Sequence, residues 1–185
     1  MSNTETLLGV RPVRALSDNY IWLIQSPLAP SRVVAVDPGE ARPVLQELAR
    51  RGESLAAILL THHHPDHIGG VAELLAAGPV PVIGPDDHRI PTLTRSVKDG
   101  DRLDLEELGL YLQVLHVPGH TLSHIAYFGH GALFSGDTLF SAGCGRLFEG
   151  TPEQMTRSLD RLRRLPADTR LYCGCLLYTS DAADE

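Results

Sequence analysis

Cysteine is scarce in this chain, and its scarcity removes one class of fold. Cys144, Cys173 and Cys175 are the only three in 185 residues. They are too few and too late to staple a small secreted scaffold, so stability must come from a packed core and from any bound metal. They suit a reducing compartment. Long apolar runs are missing as well, since none approaches the roughly 18 residues of a membrane span. The opening Met1-Ser2-Asn3-Thr4-Glu5-Thr6 carries an acid and lacks the basic segment of a secretory signal. Both absences predict a cytoplasmic protein with no membrane role. There is no excess of positive charge either: the formal net charge is -7 and the pI 5.7. That excludes a general nucleic-acid binder, whose affinity comes from counterion release by a basic face, and leaves room only for a local basic pocket.

Hydrophobic residues at 43% and charged residues at 21% are the proportions of a soluble globular protein, and the length suits one core of ordinary size. Apolar runs predict strands at 10–15, 20–25 and 33–36, the first two joined by the turn-rich Leu16-Ser17-Asp18-Asn19. Asp37-Pro38-Gly39 stops the third. Residues 41–51 then place Val44, Leu45 and Leu48 on one face of a helix, with Gly52 as its stop. A strand follows at 55–60, and a helix starting near Asp66 or His67 runs through Val71, Leu74 and Leu75. Residues 79–83 read as a strand, and 84–101, broken by Pro85 and Pro91, as irregular. Closely spaced strands at 110–117, 124–128 and 132–135 predict a mainly antiparallel sheet. A helix at 152–165, with proline in its first turn and Met155, Leu159 and Leu162 on its buried side, leads to a last strand at 170–173. This order predicts an α/β fold of two sheets packed face to face with helices on the outer faces.

The densest chemistry lies directly after the strand at 55–60. Thr61-His62-His63-His64-Pro65-Asp66-His67 places five potential metal ligands in six consecutive positions. Imidazoles this close repel one another once protonated and gain little from packing. Neutral imidazole and ionised carboxylate are, however, the donors that zinc and iron accept, and a strand end can aim them inward. Two later segments share this character: Val117-Pro118-Gly119-His120-Thr121 and Phe134-Ser135-Gly136-Asp137-Thr138 each follow a strand with a sharp turn holding His120 or Asp137. His63 alternates with His62 and His64 and should face the other way. His88, His116, His124 and His130 match no ligand spacing and read as ordinary histidines, able at most to orient a ligand.

The pattern His62-x-His64-x-Asp66-His67, then His120, then Asp137, resembles the metallo-β-lactamase superfamily with its αβ/βα sandwich. Asp18-Asn19-Tyr20-Ile21-Trp22 and Gly143-Cys144-Gly145-Arg146-Leu147-Phe148-Glu149-Gly150 resemble its hydroxyacylglutathione hydrolase, or glyoxalase II, branch. The resemblance implies a first metal on His62, His64 and His120, a second on Asp66 and His67, and Asp137 bridging both. Two divalent cations, zinc foremost with iron or manganese as alternatives, would lower the pKa of a shared water held at Asp66 and Asp137 and polarise a thioester carbonyl. It further implies a glutathione thioester such as S-lactoylglutathione as substrate, contacted by Arg146 and Phe148. Methylglyoxal detoxification is the implied role, and the partners expected are this small molecule alone, with no nucleic acid or membrane, for a monomer.

The resemblance stops at Gly174. The family pattern continues with a histidine that completes the second metal site, where this chain has Cys175. Residues 1–174 therefore read as the catalytic domain, and 175–185 as an atypical tail in place of a helical C-terminal domain, the mark of a truncation, frameshift or foreign junction. A thiolate at Cys175 is itself a zinc donor. Two other readings stay open: a glutathione-persulfide dioxygenase using one iron, and a non-catalytic metal-binding fragment. A nucleolytic member fits the acidic balance less well.

Overall fold

The computed structural model describes residues 8–175. β1 (Val10–Ala15) and β2 (Asn19–Gln25) form an antiparallel pair with Ala15 opposite Asn19. β3 (Arg32–Val36) lies antiparallel to β2 but parallel to β4 (Ser54–Leu59). A parallel pair cannot be joined by a tight turn, and α1 (Ala41–Arg51) makes the crossover. Gly52 ends α1 at φ 65, where the Glu53 amide reaches back to the Leu48 carbonyl at 3.0 Å. β5 (Val82–Pro85) and β6 (Arg95–Val97) complete a six-stranded sheet in the order β1-β2-β3-β4-β5-β6. The second sheet holds β7 (Arg102–Leu105), β8 (Leu110–His116), β9 (Ile125–Gly129), β10 (Ala132–Gly136) and β11 (Arg170–Cys173), in the order β11-β10-β9-β8-β7. Its pairings are antiparallel except β10 with β11, which are joined through α4 (Pro152–Leu162). Thr151 and Gln154 cap α4 reciprocally.

Strand alternation sorts the apolar residues into three layers. Ile24, Val34 and Leu59 of the first sheet meet Leu112, Val114, Tyr127 and Phe134 of the second between the sheets. Ile21, Leu23, Val33 and Ala35 face outward beneath Val44 and Leu48 of α1. On the far side Leu115, Ala126 and Leu133 pack with Leu162 of α4. The molecule is thus a sandwich with helices on both outer faces, as the order of elements predicted.

The structure departs from the expected elements at several places. The helix expected from Asp66 to Leu75 is two helices, α2 (Pro65–Ile68) and α3 (Val71–Ala77). Gly69 and Gly70 part them because the backbone of the 37–41 loop approaches too closely for a side chain: a Cβ on Gly70 would lie 2.7 Å from the Pro38 carbonyl oxygen. The stretch expected to be irregular, 84–101, contains β6, three residues long and too short for periodicity to register. The strand expected at 79–83 is displaced to β5, and α4 stops at Leu162 rather than 165.

Tyr127 crosses between the sheets. Its wholly buried hydroxyl lies 2.9 Å from the Leu60 carbonyl oxygen and 3.2 Å from that of Ile83, and burial pushes its pKa well up. Tyr127→Phe removes the hydroxyl donor from the Leu60 carbonyl, while the Ile83 carbonyl keeps the Leu60 amide at 2.8 Å, and is expected to cost about 1–2 kcal/mol. Urea unfolding at unchanged m-value measures it; a midpoint equal to the parent's would show that the cross-sheet bond carries no weight.

Candidate metal centre

Asp37 and Thr61 follow the adjacent parallel strands β3 and β4, and their contact organises the ligand loop. The Thr61 amide donates to Asp37 Oδ1 at 2.8 Å and the Thr61 hydroxyl to Asp37 Oδ2 at 2.7 Å. Having spent its proton on Asp37, Thr61 Oγ1 accepts from His62 Nδ1 at 3.0 Å. The neutral His62 ring therefore carries its lone pair on Nε2. His120 is fixed likewise, because its Nδ1 donates to the Arg146 carbonyl at 2.7 Å and leaves the lone pair on Nε2. Both Nε2 atoms point at His64 Nδ1, from 3.1 Å and 3.0 Å. A single proton on His64 can satisfy only one of them. Three imidazole nitrogens converging with their tautomers set from behind is the arrangement a divalent cation takes. Burial lowers the pKa of His62, His64 and His120 alike and keeps the rings neutral, the state a ligand needs.

A second group, Asp66, His67 and Asp137, stands beside it, with ligand atoms within 4.8 Å of one another. His67 Nδ1 lies 3.0 Å from Asp37 Oδ2, so its Nε2 faces Asp66 Oδ2 and Asp137 Oδ1, each 3.3 Å away. His67 Nε2 and Asp137 Oδ1 are buried without a well-directed hydrogen bond. Such orphaned atoms are costly unless a cation satisfies them. Burial drives the His67 pKa down, but Asp137 and Asp37 outweigh it and raise the pKa well above normal. Burial likewise opposes ionisation of Asp66 and Asp137, yet His67 holds both carboxyls low, aided at Asp66 by the Asn19 amide at 2.9 Å. Asp137 Oδ2 is 3.6 Å from His120 Nε2, which places this carboxylate between the two groups. Gly174 closes the floor, where a Cβ would lie 2.4 Å from Asp137 Oδ1. The donor set fits two divalent cations.

The sequence-predicted ligands His62, His64, Asp66, His67, His120 and Asp137 thus come together, and His63 turns away toward Asp87 and Glu149, at 3.5 Å and 3.7 Å. Phe148 sets its exposed ring edge-on to His64 and His120, at 5.2 Å and 5.3 Å between centroids. Arg146 is exposed, its guanidinium 5.9 Å from the Phe148 ring centre. Cys175 pairs by its backbone with Asn19, and its thiol donates to Asp18 Oδ2 at 3.4 Å. It belongs to none of the three ligand groups among the described residues. Three site residues escaped the sequence reading. Asp37 passed as a strand-stopping turn and Asn19 as part of a joint. His124, taken for an ordinary histidine, stacks on His62 at 4.6 Å and accepts from the Asp137 amide at 3.2 Å. His88, His116 and His130 lie outside the centre; His116 reaches the Leu122 carbonyl and His130 the Tyr111 amide.

The profile of the metallo-beta-lactamase superfamily matches residues 16–174, and the chain belongs to that superfamily. Within it, the chain is 54% identical over 167 residues to the hydroxyacylglutathione hydrolase of Idiomarina loihiensis, covering 90% of this chain and 65% of that protein. It therefore spans about two thirds of the length of this curated relative. Among solved structures, ETHE1 from Myxococcus xanthus superposes with a TM-score of 0.79 at 31% identity, over 92% of this chain and 76% of that one. TTHA1623 in a di-iron-bound form gives a TM-score of 0.74 at 32% identity, over 89% of this chain and 91% of that one.

Acid should destabilise the metal-free chain through its buried neutral histidines. Burial depresses the His124 pKa to about 3, so between its unfolded value near 6.5 and that pKa the unfolded state binds the extra proton. Stability present above about pH 6.5 is lost as pH falls, at up to about 1.4 kcal/mol per unit for this group. His67, with its raised pKa, contributes no slope there, because it is protonated in both states below about 6.5. Denaturant unfolding of metal-stripped protein from pH 7 to 4.5 should show the fall, and His124→Gln should flatten it; identical slopes would refute the assignment.

Proposed function

We propose that this chain carries the catalytic unit of a thioester hydrolase that cleaves S-(2-hydroxyacyl)glutathione, such as S-lactoylglutathione, to glutathione and a 2-hydroxy acid. The observation that carries this reading is the pair of ligand groups meeting at Asp137, in a chain 54% identical to a hydroxyacylglutathione hydrolase. We assign His62, His64 and His120 to a first divalent cation, Asp66 and His67 to a second, and Asp137 to both. Residues 1–174 are taken as the catalytic unit. The atypical tail assigned to 175–185 lies, beyond Cys175, outside the described residues. When bound, the cations, zinc foremost with iron or manganese as alternatives, would supply Lewis acidity and a water acidic enough to ionise near neutral pH.

The chain's own residues do the positioning. Asp66 and Asp137 concentrate negative charge at the centre, and Asn19 and His67 hold the Asp66 carboxylate in place. Phe148 offers an apolar wall beside His64 and His120, and Arg146 offers a cation to a glutathione carboxylate. Hydrolysis adds the water oxygen to the acyl carbon, breaks the C–S bond and releases glutathione thiolate, a good leaving group. A mono-iron reading would leave the orphaned His67 Nε2 and Asp137 Oδ1 unused, and the non-catalytic reading leaves Arg146 and Phe148 without a task, so neither is favoured. No described helix is long and apolar enough to cross a membrane; we place the protein in the cytoplasm, as a monomer acting in methylglyoxal detoxification.

Metal analysis of single variants tests the ligand roles. His120→Ala should remove most metal from the first site, His67→Ala only from the second, and Asp137→Ala should reduce both. Equal single-site losses in all three would sink the shared carboxylate. Cys175→His should raise occupancy of the second site and with it the rate of S-lactoylglutathione hydrolysis; an unchanged metal count would show that position 175 lies outside the centre.

A further inference from the structure

A second polar cluster adjoins the metal centre and binds no predicted ligand. Asp87 is 7% exposed and receives a two-pronged contact from Arg89, Nε to Oδ1 at 2.8 Å and Nη2 to Oδ2 at 2.7 Å. The remaining prong of Arg89 donates to Glu149 Oε1. Glu149 Oε2 accepts the Leu122 amide at 2.7 Å, and Asp87 Oδ2 accepts the Ser123 hydroxyl at 2.6 Å. Three loops are therefore tied through one guanidinium: the stretch after β5, the turn after His120, and the segment that carries Arg146 and Phe148. Bidentate arginine contacts fix direction as well as distance.

What these loops carry gives the cluster its meaning. Six large apolar side chains are exposed among the described residues, and three of them, Leu122, Leu147 and Phe148, sit on the two loops that Glu149 joins. Phe148 also meets both His64 and His120 edge-on, so this exposed apolar rim borders the centre. Exposed apolar surface concentrated at the mouth of a polar site marks where a ligand settles.

We infer that Asp87, Arg89 and Glu149 are positioning residues that hold the Leu122 turn and the Leu147-Phe148 segment, which the Phe148 amide already joins to the His120 carbonyl at 3.2 Å, in a fixed position beside the centre, and that this position sets how tightly substrate is gripped. The identity of the substrate rests on the thioester-hydrolase reading; the clamp rests on the contacts alone. The cluster touches no assigned ligand; its contact in the histidine loop is His63, which faces Asp87 and Glu149 at 3.5 Å and 3.7 Å and is itself no ligand, so loss of the cluster should spare the metals.

The test uses the full chain with Arg89→Met, Arg89→Lys and Glu149→Gln. For Arg89→Met we expect unchanged metal content, hydrogen exchange at the Leu122 and Phe148 amides faster by about tenfold, and KM raised about tenfold with kcat within about threefold. Arg89→Lys, which restores a cation for Glu149 but not the fork on Asp87, should recover part of the KM. Unaltered exchange at both amides overturns the inference, as does a fall in kcat at constant KM or a loss of metal. If Arg89→Met does not fold, Glu149→Gln decides on the same readouts, since it keeps an acceptor for the Leu122 amide while removing the charge that Arg89 pairs with. A parent chain that leaves S-lactoylglutathione intact would overturn the thioesterase reading instead; glutathione affinity, measured by calorimetry, then replaces KM, and equal affinity in parent and Arg89→Met overturns the clamp.

Discussion

One carboxylate, that of Asp37, fixes the geometry on which the centre depends. It accepts from the Thr61 amide and hydroxyl and faces His67 Nδ1. Through Thr61 it sets the tautomer of His62, and directly it sets that of His67, so one side chain orients a donor in each ligand group. Asp37 does this from a left-handed backbone conformation, φ 52, which costs a non-glycine residue about 1–2 kcal/mol. Charge-assisted hydrogen bonds of about 1.5–3 kcal/mol each are enough to offset that strain. The same bonds keep a 4% exposed carboxylate from being a buried, unpaired charge.

The sandwich matters because it delivers donors from two sheets to one end. The first sheet contributes Asp37 after β3 and the histidine loop after β4; the second contributes His120 after β8, Asp137 after β10 and Gly174 after β11. Strands set these positions more rigidly than loops alone could. The sheets are also stitched together at the centre itself, where the Ile125 amide donates to the Thr61 carbonyl at 3.0 Å and the Tyr20 amide to the Gly174 carbonyl at 2.9 Å. The parallel pairing of β10 with β11 carries the Gly174 amide to the Gly136 carbonyl at 2.9 Å, beside Asp137. Only a residue without a side chain fits at that contact.

The sequence made the ligands visible and hid their supports, for a physical reason. Histidine and aspartate crowded into residues 62–67 have few uses other than a cation, so the cluster announces itself before any fold is known. Asp37-Pro38-Gly39 has a common use as a turn, and its carboxylate acquires meaning only when parallel pairing of β3 and β4 sets it beside Thr61. His124 is harder still: it stands alone in the sequence, and the stacking on His62 arises from contact between different sheets. The break at Gly69 and Gly70 was hidden in the same way, because apolar periodicity continues across it while the approach of the 37–41 backbone does not show in any local pattern. Local chemistry is readable locally, and contacts that depend on sheet register are not.

The two halves of the centre are unequal, and the inequality follows from their donors. The first group brings three neutral imidazoles, oriented from behind by Thr61 and the Arg146 carbonyl. The second brings one imidazole and carboxylates, with Asp137 shared. Oxygen-rich sets favour harder cations and imidazole-rich sets suit zinc or iron. Cys175 does not redress the balance: its backbone runs beside Asn19, which holds Asp66, but its thiol is directed to Asp18. In the assignment proposed above, the second group would hold a cation mainly through the charge of Asp66 and Asp137, with the Asn19 amide orienting Asp66 at 2.9 Å. Charge alone holds a cation with less geometric selectivity than a closed ring of imidazoles, so under that assignment the identity and occupancy of a second metal would follow the supply of cations more closely than those of a first.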